Sequence, residues 1–315
     1  GMRPDEKDPV KAFEYIQHIP DLQSALSLFD KHHDPNNQIS ILCRSRILLK
    51  DPSDEKTIKS AISTISELAK SGLTEAKYVY ATILEKGILV KKNMLEARKF
   101  YQEASKAQYP MAMSSYGRIL KVEDQALACR LFKEAADKNL PIAQYQYARM
   151  LEIGGAEEEA LRFYKMASDS NIAKAQFRYG RMHEICSKIK RSYETAVKYY
   201  RMASRQKYPK AMNNYGHMLE QGLGIEKDFF KAAFYYKKAS ELGNIVATHN
   251  YARVLEHGIG VEKDEFSAAK IYKKLAEGEN NGLAQYNYGR MCHNGIGVKE
   301  DFEEDYNRSD SESFQ

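Results

Sequence analysis

Five arginines and one histidine recur along this 315-residue chain at intervals of 31 to 37 residues, and their chemistry suggests a binding surface. Arginine offers a planar fork of donors that holds carboxylates or backbone carbonyls. In the last five of these repeats, an aromatic or polar residue stands four positions before the basic residue. Aromatic residues suit the apolar side chains of a partner. We predict partner-binding roles for a cationic row and a flanking set: Arg118, Arg149, Arg181, His217, Arg253 and Arg290, and Tyr145, Phe177, Asn213, His249 and Tyr286.

A second candidate for chemistry is the glycine-rich stretch HGIGVEKDEF at 257–266, which invites comparison with a phosphate-binding loop. A phosphate loop follows a strand and opens a helix once per site. Here each glycine pair follows a helical stripe, and the lysine changes position. We therefore predict a joint between helices, in which the first glycine is a left-handed C-cap and an aspartate is the next N-cap. The glycine pairs are 222/224, 258/260 and 295/297, and the aspartates are Asp228, Asp264 and Asp301.

The remaining reactive side chains predict neither an enzyme nor a metal site. No GxSxG or HExxH motif occurs, and no cysteine has a defensible histidine partner. Histidines concentrate near the end of the chain without an HxxxH ligand pair, so exposed polar histidines are favoured over metal ligands. They are His217, His249, His257 and His293. We predict no catalytic residue, no metal and no cofactor.

Internal repeats carry the candidate residues. In each repeat a tyrosine precedes alanine or glycine, with an alanine four residues earlier and an apolar residue three later. This is the period of a helix, which we name helix A. A second stripe, helix B, has an aromatic residue with an alanine four positions before it, and the repeated alanines predict closely packed helices. The helix A tyrosines are Tyr80, Tyr116, Tyr147, Tyr179, Tyr215, Tyr251 and Tyr288; the helix B aromatics are Tyr101, Phe132, Tyr164, Tyr200, Tyr236 and Tyr272.

The segments AMNNYGHMLEQGLGIEKDFFKAAFYYKKASELG (211–243) and ATHNYARVLEHGIGVEKDEFSAAKIYKKLAEG (247–278) resemble the Sel1-like repeat family, a relative of tetratricopeptide repeats. The resemblance covers about residues 70–299. It implies an all-α fold, a right-handed α-solenoid or superhelix of antiparallel helix pairs, whose members mostly act as adaptors. The repeats centred on Tyr116, Tyr147 and Tyr179 depart from the family pattern because they lack the glycine-x-glycine loop.

Helical geometry predicts which helix A positions face away from the core. At 100° per residue these are two before, two after and five after the tyrosine. The resemblance implies that helix A lines the concave surface. Glutamates at the last position leave another interpretation open, in which Arg149–Glu152, Arg181–Glu184 and Arg253–Glu256 are i,i+3 ion pairs on a solvated face. For the surface as a whole we favour peptide binding, because solenoids present extended binding surfaces.

The repeat pattern and the charge distribution divide the chain into three predicted regions: a degenerate helical cap at 1–69, about seven repeats at 70–299 and a disordered acidic tail at 300–315. The formal net charge is +5, but residues 300–315 contain seven acidic residues and one arginine. A basic body favours an acidic partner, or docking of the tail on its own groove. The cap keeps traces of the repeat in Ala25, Phe29, Ala61, Ile65 and Leu68.

Together these features predict a non-catalytic scaffold or adaptor that binds a protein or peptide partner. The alternative is that the basic repeats bind single-stranded nucleic acid or another polyanion. Base-reading repeats need a regular period and matched polar positions, so nucleic acid is the less favoured partner. No apolar run has the length of a membrane span. The four scattered cysteines, without a CxxC motif, favour a reducing, cytoplasmic location.

Overall fold

The computed structural model describes residues 22–30, 34–49, 54–278 and 281–298, which form sixteen α-helices and no strand. The predicted all-α class is confirmed. Asp301 and the predicted tail at 300–315 lie outside the described residues. The helices are α1 (Leu22–Asp30), α2 (Gln38–Leu48), α3 (Glu55–Lys70), α4 (Thr74–Lys86), α5 (Met94–Lys106), α6 (Pro110–Leu120), α7 (Gln125–Asp137), α8 (Pro141–Ile153), α9 (Glu157–Asp169), α10 (Ala173–Ile185), α11 (Tyr193–Arg205), α12 (Pro209–Gln221), α13 (Phe229–Glu241), α14 (Ile245–His257), α15 (Glu265–Ala276) and α16 (Gly282–His293).

The chain divides into two compact units, Gly1–Met150 and Leu151–Gln315. Consecutive helices pack against each other from α1 to α7 in the first unit and from α9 to α16 in the second, and the short loops make the two helices of a pair antiparallel. Helix A of the repeats is found in α4, α6, α8, α10, α12, α14 and α16. Helix B is found in α5, α7, α9, α11, α13 and α15. Every predicted helix A stripe and every predicted helix B stripe is therefore a helix.

The glycine loop after helix A is a joint between helices, as the sequence predicts. Gly258 ends α14 with φ of 67°, and its amide donates to the carbonyl of Val254. The carboxylate of Asp264 caps α15 by accepting from the amide of Ser267. Position 295 is a correction: Asn294 is the C-cap of α16, and the left-handed Gly295 follows it.

The second glycine of the loop has a role that the sequence did not reveal. Gly260 has φ of 68°, and a Cβ there would lie 2.1 Å from the carbonyl oxygen of Phe229. Phe229 begins helix B of the preceding repeat. Any side chain at Gly260 would therefore force the loop away from that repeat. This glycine thus joins neighbouring repeats.

The core lies between paired helices and is built from aromatics against small residues. Alanines such as Ala211 and Ala232 have almost no exposed surface. At Gly216 a Cβ would lie 3.0 Å from the Tyr236 ring, so the small residue lets the ring approach helix A. The helix B aromatics are fully buried: Tyr101, Phe132, Tyr164, Tyr200, Tyr236 and Tyr272. The same kind of burial extends to the cap residues Ala25, Phe29, Ala61, Ile65 and Leu68.

Candidate functional site

The cationic row lies on helix A and reaches the surface in both units. Arg118, Arg181 and His217 are exposed, whereas Arg149, Arg253 and Arg290 are half-buried. The position two residues after the helix A tyrosine therefore faces outward, as helical geometry predicts. The side chains of the row differ, however, in what they contact.

Three arginines of the row are bound to glutamates of the preceding repeat. Arg253 donates to both carboxylate oxygens of Glu220 at 2.7 Å, and Arg290 lies 2.5 Å from Glu256. In the first unit Arg118 pairs with Glu85 in the same way. The i,i+3 interpretation is therefore wrong for Arg253 and Glu256, because each pairs with a residue of a different helix A.

Glutamates at this position of helix A accept a hydrogen bond from the helix B tyrosine of their own repeat. The hydroxyl of Tyr101 donates to Glu85 at 2.9 Å, and that of Tyr236 donates to Glu220 at 2.8 Å. Tyr164 does so with Glu152 at 2.5 Å, and Tyr200 donates to Glu184. We name the arrangement of helix B tyrosine, glutamate and arginine of the next repeat the Tyr–Glu–Arg unit.

Burial makes this unit structurally important. Glu220 is 7% exposed and Glu256 is 6% exposed, and a charge removed from water is costly unless it is paired. Burial and the neighbouring charge of Glu256 raise the pKa of Tyr272 to about 12. Burial and the same type of glutamate contact raise the pKa of Tyr236 as well. The tyrosines are thus neutral donors at physiological pH, and the arginines supply the charge that balances the glutamates.

Two repeats of the second unit vary this arrangement. Glu152 pairs at 3.2 Å with Arg178, which is not among the predicted partner-binding residues. Arg178 lies one residue before the helix A tyrosine, three residues before Arg181 on the same helix. Arg181 is exposed and has no ion pair among the described residues, and neither has His217. These two side chains are the part of the row that the second unit leaves available.

The prediction that the flanking set faces away from the core is wrong for its members Tyr145 and Phe177. Tyr145 is 7% exposed and Phe177 is 6% exposed. The Phe177 ring lies 5.7 Å from Tyr200 of helix B and 5.5 Å from Tyr208 at the start of the next repeat. Neighbouring helices therefore cover a position that looks outward on an isolated helix. Tyr286, at 68% exposed, is the large aromatic of the set that is open to solvent.

The polar members of the flanking set connect repeats. The amide of Asn250 donates to Asn213 at 2.9 Å. His249 lies beside the Tyr272 ring at 5.1 Å, and its Nε2 is 3.2 Å from the amide nitrogen of Asn287. Burial lowers the pKa of His249, which favours its neutral form. Asn213 and His249 therefore have structural contacts already.

Other reactive side chains are dispersed. His217, His257 and His293 are exposed, and of the residues that the structure describes, no three His, Cys, Asp or Glu side chains form a metal-ion group. The four cysteines, all in the described part of the chain, are not joined by disulfides. None of the helices in the described ranges combines the length and apolar character needed to cross a membrane.

Stacked helix pairs joined by buried polar contacts define an all-α helical-repeat protein. The model of the Sel1 repeat matches residues 4–17, 74–109, 105–140, 141–172, 173–208, 209–244, 245–280 and 282–304. The chain therefore belongs to the Sel1 repeat family. The match at 4–17 falls outside the described residues. A search of curated protein sequences gives no significant match.

Solved structures show the same fold. One is a protective antigen of uropathogenic Escherichia coli with an SLR fold, at 20% identity and a TM-score of 0.74; the match covers 94% of this chain and 67% of that one. Another is a Sel1 repeat protein from Oxalobacter formigenes, at 24% identity and a TM-score of 0.60, covering 96% and 88%. A human IFIT1 dimer with PPP-AAAA matches at 12% identity and a TM-score of 0.52, covering 90% and 72%. These likenesses show the fold alone.

Proposed function

We propose that this chain is a non-catalytic scaffold that binds a segment of a protein partner through the helix A surface of its repeats. Sel1 repeat proteins generally act as protein–protein interaction scaffolds. The observation that carries the proposal for this chain is that Arg181 and His217 are exposed and have no ion pair among the described residues. Their neighbours in the row, such as Arg253, are bound to glutamates. A donor that the fold does not use is available to a partner's carboxylates and carbonyls.

Tyr286 supports the same surface. It lies on α16, it is the exposed aromatic of the flanking set, and Arg290 follows it by one helical turn. Tyrosine combines apolar contact area with a polar hydroxyl and is enriched at protein interfaces. We therefore expect a partner segment that offers both acidic and apolar side chains. Cytoplasmic location stays a prediction from the scattered cysteines of the sequence.

The test uses the full chain as an immobilised bait. Arg181→Glu combined with His217→Glu should abolish capture of the partners retained by the wild type, with the Tm unchanged. Lys270→Glu is the matched control, because Lys270 is an exposed cation on α15, a helix B. Equal capture by the wild type and the double variant would contradict the proposal. Loss of capture in all variants would point to overall charge instead of this surface.

Nucleic-acid binding is the second candidate, and it draws on the basic composition. The exposed lysines of helix B are partly neutralised: Lys165 pairs with Asp169, and Lys238 lies 2.8 Å from Glu241. Such i,i+4 and i,i+3 pairs are typical of a solvated helix face. Binding of random single-stranded RNA that persists at physiological salt would favour this candidate over the protein partner, because phosphate contacts weaken steeply with salt.

A further inference from the structure

One repeat of the first unit departs from the Tyr–Glu–Arg unit at two of its three positions. Phe132 stands at the helix B position that is tyrosine in the other repeats, and Lys121 stands at the glutamate position. Arg149, the arginine of the next repeat, is kept. The two changes belong together, because a phenylalanine ring needs no acceptor. This repeat therefore has no carboxylate at the position of Glu85 and Glu220 in other repeats, and a lysine is added to the retained arginine.

The repeat pattern predicts that Lys121 and Arg149 occupy facing positions, as the glutamate and the arginine do in three other repeats. At the equivalent positions Arg118 contacts Glu85 and Arg253 contacts Glu220. Lys121 follows the last residue of α6, but its backbone stays helical, with φ of −53° and ψ of −29°. Its side chain therefore leaves the helix in the direction taken by the glutamates.

Electrostatics agrees with this placement. Both side chains are half-buried. Burial, and after it the positive charge of Arg149, lowers the pKa of Lys121. A like charge has this effect only when it is close.

The surrounding acidic side chains are engaged elsewhere. Glu123 lies 2.7 Å from Arg98, and Asp124 caps α7 by accepting from the amide of Leu127. Within the described residues no acidic side chain pairs with Lys121 or with Arg149. Two half-buried cations that face each other without a counter-charge form a position that an anion stabilises.

We infer that Lys121 and Arg149 form a binding position for a side-chain carboxylate supplied by an acidic segment of a protein partner. The inference rests on the proposed function and locates one contact of it in the first unit. Five other repeats place a carboxylate of the chain itself here: Glu85, Glu152, Glu184, Glu220 and Glu256. The local framework therefore accommodates a carboxylate group, and a partner's glutamate or aspartate is the ligand that matches it.

The test supplies the missing carboxylate from within the protein. In full-length Lys121→Glu, the introduced group should pair with Arg149, raise the Tm and weaken binding of a fluorescent alternating Glu–Ser peptide. We expect about a tenfold loss of affinity by fluorescence anisotropy at low salt, the size of one charge-assisted contact. Lys133→Glu makes the same change of charge at an exposed position of α7 and should alter affinity by no more than about twofold.

Several results would overturn the inference. Affinity that is unchanged in Lys121→Glu, or equally reduced in Lys133→Glu, would exclude a specific position. A lower Tm in Lys121→Glu would assign Lys121 to the C-terminal end of α6, where a cation is favoured by the helix dipole. Tighter binding of a phosphoserine–Ser peptide than of the Glu–Ser peptide would assign the position to phosphate.

A further experiment tests whether the acidic tail of the chain itself occupies this position. In a full-length variant with the acidic residues of 300–315 changed to Asn and Gln, the Glu–Ser peptide should bind as it does to the wild type. Tighter binding would assign the position to the tail instead of a partner. Failure of the proposed function is separable from these outcomes, because its test changes Arg181 and His217 in the second unit and leaves Lys121 intact.

Discussion

The repeat that contains Glu220 and Tyr236 differs from the repeat that contains Lys121 and Phe132 at the position that joins one repeat to the next. In the former, a buried carboxylate accepts from a tyrosine and from an arginine of the following repeat. In the latter, two cations face each other and the hydroxyl is absent. Lysine in place of glutamate and phenylalanine in place of tyrosine thus turn a contact that stabilises neighbouring repeats into a position that binds a ligand. The comparison suggests that binding positions in this protein arise where the fold omits its own counter-charge.

The largest loss of stability is expected when a lysine replaces the glutamate in the repeat that contains Glu220 and Tyr236. Glu220→Lys places a second cation beside Arg253 and removes the acceptor of the Tyr236 hydroxyl. We expect the free energy of unfolding to fall by about 3–5 kcal/mol, as when a buried ion pair is broken. Urea denaturation followed by circular dichroism measures it. Glu184→Lys is the matched control, since Glu184 has no arginine partner in the described residues. Equal losses would show that the arginine does not contribute.

A smaller change in the free energy of unfolding is expected in the repeat that contains Lys121 and Phe132, and its sign should depend on the residue at position 121. Phe132→Tyr alone buries a hydroxyl without an acceptor and should cost about 1–3 kcal/mol. In the Lys121→Glu background that hydroxyl gains a carboxylate acceptor, as Tyr101 has in Glu85, so the same substitution should be neutral or stabilising. A double-mutant cycle on unfolding free energies gives the coupling directly. The same loss in both backgrounds would contradict the equivalence of the two repeats.

Alkaline pH should weaken a repeat in which a buried tyrosine lies beside a glutamate. The pKa of Tyr272 is raised from 10.0 to about 12 because the ionised phenol is disfavoured by burial and by Glu256. Its contribution to stability is fully present below pH 10.0 and is lost as the pH rises towards about 12. Tyr272→Phe should therefore flatten the fall of Tm across this window. Tyr286→Phe, at an exposed position, is the control and should leave the profile unchanged.

The helices and their ends could be predicted from the sequence because they depend on residues close in the chain. The alanine and tyrosine stripes locate helix A and helix B, and the cap at Gly258 and Asp264 follows from local backbone preference. The Glu220–Arg253 pair could not be found this way, because its residues are 33 positions apart and meet only when repeats stack. The recurrence of a tyrosine 16 residues after a glutamate was a usable signal.

The outward direction of Phe177 and Tyr145 was predicted wrongly for a related reason. A helical wheel places residues relative to one contact face, but each helix A also contacts its own helix B and the next repeat. Phe177 lies between Tyr200 and Tyr208, one from each of these neighbours. Single-helix geometry was sufficient for the cationic row, whose members reach the surface. The partner-binding roles of the row and of Tyr286 stay predictions.

The smallest change in stability is expected at an arginine of the cationic row that has no ion pair among the described residues. Arg181→Gln should change the free energy of unfolding by no more than about 0.5 kcal/mol, as for an exposed side chain without an ion pair. Arg253→Gln should cost more, because it leaves Glu220 buried with less compensation. Thermal unfolding of the two variants side by side measures the difference. A charge-reversal test of the whole row would therefore mix folding with binding, whereas Arg181 reports on binding alone. If Arg181→Gln destabilised the protein as much as Arg253→Gln, Arg181 would be structural and the proposed surface would lose its clearest donor.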